Sequence, residues 1–131
     1  MADIKQLSLD ADKQNKGVWV PYDLDVELLI AGTGSPEFRK ACGELLAPHR
    51  QRIRTTGLTF EERVVIIKPA IAEHLLKGWK NLTENGKSVP FSTKKAIELL
   101  DEIKDLATFV LASADEKEWF RNELKKDAAK N

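Results

Sequence analysis

The spacing of apolar residues changes period at Ser35-Pro36, and that change constrains the fold more than any other feature of the chain. Before it, Val18, Val20 and Tyr22 alternate with Trp19 and Pro21, and Leu24, Val26, Leu28 and Ile30 alternate with Asp25, Glu27 and Leu29. A period of two is that of a half-buried strand. Residues 17–31 are therefore expected to form a β-hairpin turning near Pro21 to Asp23. Pro21 cannot donate to a ladder, which assigns the first strand to an edge. After Ser35, apolar residues recur at steps of three and four. Phe38, Ala41, Cys42, Leu45 and Leu46 form one such set, and Phe60, Val64, Ile67, Ile71, His74 and Leu75 a second. Ala96, Ile97, Leu100, Ile103, Ala107 and Val110 form a third. These are helical faces.

The helix starts carry their own chemistry. Ser35-Pro36 reads as N-cap and first-turn proline, Thr59 with Glu62 as a capping box, and Ser92 as a further cap. Ser113 with Glu116 reads as a second capping box, opening a short final helix with Trp119, Phe120 and Leu124. Pro69 lies inside the second helical pattern and is expected to bend it. The fold class is thus mainly α (α+β): a bundle of about four helices with a small N-terminal β-hairpin. At 131 residues the chain forms a single domain, residues 1–131, long enough to bury a core without a disulfide. Residues 1–15 are polar and expected to be flexible until something docks them, and residues 35–128 are expected to be helical.

Charge narrows the partners. Formal net charge is zero, with 21 basic against 21 acidic residues, so no long-range field draws in nucleic acid or an anionic membrane. "HRQRIR" is the one basic knot; Arg50, Arg52 and Arg54 spread over a wide helical arc and suit a solvated helix end. Cys42 is the only cysteine, which fits a reducing compartment. No apolar run approaches the roughly 20 residues that span a bilayer, and the N-terminus has no signal-peptide core, so a cytoplasmic location is expected. His49 and His74 are isolated from any metal-ligand spacing, and the adjacent acids Glu61-Glu62, Asp101-Glu102 and Asp115-Glu116 point about 100° apart on a helix. "AGTGSPEF" lacks the spacing of a phosphate-binding loop. No catalytic residue, metal or cofactor is expected, and no enzymatic activity.

The stretch "GWKNLTENGKSVPFS", residues 78–92, reads physically as a hinge between two helices. Trp79 stands at a helix end, Asn85-Gly86 supply the two positive-φ positions of a tight turn, Pro90 sets an extended approach and Ser92 caps. Phe91 is expected to pack onto Ala96 or its neighbours. The same residues carry a resemblance. "HLLKGWKNL…ENGKSVPFSTKKAIELL", over residues 74–112, resembles the tail assembly chaperones of long-tailed, siphovirus-type bacteriophages, and the Gly-Trp-Val strand and "SPEFRKA…LLAP" upstream are similar too. The tryptophan, the Gly-centred turn and the Pro-aromatic-Ser step carry it.

That resemblance implies a non-enzymatic chaperone of the host cell cytoplasm. It would bind the tape measure protein and keep it soluble while tail tube subunits polymerise around it, and would be absent from the mature virion. It also implies two lengths of product, the longer made by ribosomal frameshifting and recruiting the tail tube protein; the ending "NELKKDAAKN" suits the short form. Self-association is open. The candidate partner-binding residues are Trp19, Trp119 and Phe120, because adjacent aromatics on a short helix cannot both face one core; burial in the core is the competing reading. A small nucleic-acid-associated regulator using Arg50, Arg52 and Arg54, and a structural virion or connector component, are the alternatives.

Overall fold

A computed structural model describes residues 1–121. Two short helices, α1 (Ile4–Leu7) and α2 (Ala11–Lys16), lead into strands β1 (Val18–Pro21) and β2 (Glu27–Ile30). These pair antiparallel, with Trp19 opposite Leu29 and Val20 opposite Leu28, and the Tyr22 amide donates to the Val26 carbonyl at 2.9 Å to close the turn. The hairpin and the edge position of β1 follow the alternation and Pro21. Leu24, however, belongs to the turn and not to the strand, at φ 55°.

Helix α3 (Pro36–Leu46) starts where the period changes, its cap made by Ser35 Oγ accepting from the Phe38 amide. The two glycines before it, Gly32 and Gly34, make room for α2: a Cβ on Gly32 would stand 2.0 Å from Gln14 Oε1. That oxygen accepts from the Gly34 amide at 3.2 Å. A single 3₁₀ turn (Ala47–His49) and α4 (Arg50–Thr55) follow, then α5 (Phe60–Ala70), opened by the expected capping box between Thr59 and Glu62. Glu62 also pairs with Arg52, and its carboxyl is held below the usual range first by the Thr59 amide and then by that guanidinium.

Beyond α5 the chain departs from the helical pattern. The helix ends at Ala70, a wide π-helical turn spans Ile71–Leu75, and Leu76–Lys80 is strand β3. β3 adds to the hairpin in the order β1-β2-β3, with Leu28 opposite Trp79 and Leu29 opposite Gly78. Trp79 is therefore a strand residue, not a helix end. Pro69 has no amide to return to the carbonyl four residues back, which weakens the α-helix where it widens. β2 has an unpaired edge there, and ladder bonds plus burial of Leu76 outweigh helical continuation.

The stretch after Trp79 is a second, small hairpin, β4 (Thr83–Glu84) and β5 (Lys87–Ser88), not a hinge between helices. Its turn residues have the expected sign, Asn85 at φ 52° and Gly86 at φ 80°. Pro90 is exposed and Ser92 Oγ caps α6 (Thr93–Glu102) by accepting from the Lys95 amide. Phe91 packs edge-on against Trp79, ring centroids 4.7 Å apart. The Trp79 indole N–H donates to the Val89 carbonyl at 2.7 Å. Lys95 reaches back to Glu84 at 3.2 Å, tying the hairpin to α6.

The expected continuous helix to about residue 112 is two: α6 ends at Glu102, Ile103 is extended, and α7 (Leu106–Ala114) begins after a turn in which Asp105 accepts from the Tyr22 hydroxyl at 2.8 Å. The Ser113–Glu116 capping box does not form. Ser113 is buried in the last turn of α7, and only its carbonyl meets the Glu116 amide, at 3.1 Å. α8 (Lys117–Phe120) is a single turn, and Leu124 lies outside the described residues. Leu9 bridges to Arg121 and the Asp10 amide donates to the Phe120 carbonyl, so the N-terminal segment docks on α8. One core joins the inner sheet face to α5, the π turn, α6 and α7, with Ile30, Ile71, Leu75, Leu76 and Val110 fully buried. Helices this short depend on that packing.

Candidate functional site

α3, the start of α5 and the end of α7 diverge where the chain turns into α8. They leave an open groove of about 1050 Å³. Its floor is apolar: Phe38, Cys42 and Leu46 from α3, Phe60 and Ile67 from α5, and Leu111 from α7. These residues share faces because α3 and α5 each place them at helical spacing, and Phe60 stays half exposed on the first turn of α5. The walls carry opposite charge. Arg39 and Arg63 line the helical side, and Asp115, Glu116 and Glu118 line the turn into α8 together with Lys117. Thr33 Oγ1 donates to Asp115 Oδ1 at 3.1 Å, fixing one end of the acidic wall.

Cys42 sits half-buried in this floor. Burial pushes its thiol up from the usual cysteine range, opposed in smaller measure by the Arg63 charge. The group is thus a protonated, apolar part of the surface at neutral pH. Among the described residues no group of three or more His, Cys, Asp or Glu side chains is placed to hold a metal ion, and no helix is long and apolar enough to cross a membrane.

The sequence-derived aromatics are placed apart. Trp19 lies on the outer face of the sheet, 37% exposed, with Lys80 Nζ 4.0 Å from its ring centre. Trp119 is 36% exposed on α8, whereas its neighbour Phe120 is 1% exposed and belongs to the packed interior. None of the three lines the groove. Of the basic knot on α4, Arg52 is engaged by Glu62, while Arg50 and Arg54 are exposed. Sequence reasoning placed Phe38, Cys42, Leu46, Phe60 and Ile67 on apolar faces but assigned those faces to the bundle interior. The angle at which three helices part, which opens the groove, leaves no trace in periodicity.

Residues 33–131 match a family model of prophage origin, well over half of the chain and all of the groove's lining, so the protein is phage-derived. The family is described as YdaY prophage protein, and the chain belongs to it. No curated protein and no solved structure matches the chain.

Proposed function

We propose that this phage-derived protein is a tail assembly chaperone, which binds the tape measure protein and keeps it soluble while tail tube subunits polymerise around it. The observation that carries the reading is the open, apolar-floored groove with charged walls between α3, α5 and α7. An amphipathic helix lays its apolar face into such a groove and its polar flanks against the walls. The basic wall at Arg39 and Arg63 and the acidic wall at Asp115 and Glu118 would fix which way the helix lies. The resemblance over residues 74–112 supplies the partner class, and the phage origin of the family agrees with it. On this reading the protein is not an enzyme and acts in the host cytoplasm. The tail tube protein is recruited through a longer, frameshifted form.

Co-expression tests the reading. The tape measure protein is expected in the soluble fraction with this chain and in inclusion bodies without it; equal solubility in both sinks the proposal. Cys42 reports the site. Its alkylation by N-ethylmaleimide is expected to slow severalfold when the tape measure protein is bound, and an unchanged rate removes the groove from the mechanism.

A further inference from the structure

A second concavity, sharing no lining residue with the groove, lies beneath the tip of the β1–β2 hairpin. It holds about 340 Å³, with a floor that includes Leu28, Trp79, Leu99 and Leu106. Its mouth carries Asp23, Leu24 and Asp105. Leu24 combines two unfavourable features in one residue. It is 95% exposed and adopts φ 55°, a region that L side chains other than Asn and Asp rarely visit. Nothing in the core is gained by it, since its side chain lies in water. Backbone strain of this type persists where a site uses it.

We propose that this pocket and Leu24 together form a peptide-docking site for a segment that presents a bulky aliphatic or aromatic side chain next to lysine or arginine. The pocket volume accommodates one or two side chains. A small molecule filling it would leave Leu24 in water, so the occupant extends past the mouth and covers that leucine. The two carboxylates at the mouth set its charge. They repel an acidic segment, and they also disfavour a two-fold pairing with a second copy of this chain, which would bring Asp23 and Asp105 against their own counterparts. The site is independent of what fills the groove.

The test uses the ¹⁵N-labelled full chain titrated with two capped tetrapeptides, Lys-Leu-Phe-Lys and Glu-Leu-Phe-Glu. The basic peptide is expected to shift the Trp79 indole N–H and the amides of Leu24, Val26 and Ile103, with the acidic one at least about tenfold weaker. Leu24→Gly, which relieves the positive φ, is expected to leave the melting temperature unchanged or higher while weakening the basic peptide severalfold. Asp23→Asn keeps an acceptor for the Leu24 amide and is expected to narrow the difference between the peptides. Any of three results overturns the proposal: no shift at the Trp79 indole, equal affinity for both peptides, or undiminished binding by Leu24→Gly. Shifts that follow the protein's own concentration, with neither peptide competing, would assign the site to a second copy and overturn it as well.

Discussion

The two tryptophans of the three-stranded sheet stand on opposite faces, and their surroundings differ in every physical respect. Trp79 shares the inner row with Leu28 and Val20, gives its indole N–H to Val89, and takes an edge contact from Phe91. Trp19 shares the outer row with Leu29 and Gly78, and the Lys80 ammonium stands 4.0 Å from its ring centre. A large aromatic whose polar atom is satisfied inside the protein serves the fold. One that lies across a glycine and under a cation is held in place without being enclosed, and it keeps a face for other molecules. α8 repeats the contrast within two residues, Phe120 enclosed and Trp119 open.

Substitutions test this contrast, the largest effect first. Phe120→Ala is expected to cost about 3–5 kcal/mol in urea unfolding, since it empties a fully enclosed site and loosens the docking of the N-terminal segment. Trp79→Ala follows at about 2–3 kcal/mol, less because the ring is only half-buried, and it should also free the β4–β5 hairpin. Trp19→Ala and Trp119→Ala are expected below about 1 kcal/mol each, as surface substitutions. Equal losses at Trp19 and Trp79 would break the comparison. Loss of a partner from Trp19→Ala with an unchanged melting curve would sharpen it.

A smaller effect is expected at alkaline pH. The Tyr22 hydroxyl is pushed up to about 12, first by burial and then by its hydrogen bond to Asp105. A folded-state value above the ordinary 10.0 means the contribution to stability is whole below pH 10 and is lost as pH rises through 12. Melting curves of the wild type should decline over that window more than those of Tyr22→Phe, which carries no proton to lose.

Local rules account for what the sequence disclosed. Alternation placed the hairpin, caps placed α3, α5 and α6, and Asn85-Gly86 placed the tight turn, because each depends on residues within one or two turns of chain. What escaped was decided at a distance. Leu76–Lys80 reads as the continuation of a helix and becomes a strand only because β2 offers it an edge. The break at Ile103–Asp105 sets Asp105 against the hydroxyl of Tyr22, far away in sequence. Trp119 and Phe120 are indistinguishable by position on a short helix, and docking of the N-terminal segment on α8 separates them. The groove and the pocket are shapes between elements, so the residues that line them could be assigned to faces but not to openings.

The five-residue π turn at Ile71–Leu75 has an evolutionary consequence. Side chains along a strand alternate faces, so the number of residues between α5 and β3 sets the phase of the whole strand. Losing a single residue there would exchange Trp79 with its neighbours across the sheet plane, turning the inner tryptophan outward and driving lysines toward the interior. Insertions or deletions of an odd number of residues at this junction would therefore invert the strand, whereas a change of length in the β4–β5 turn a few residues later would leave the phase of β3 as it is.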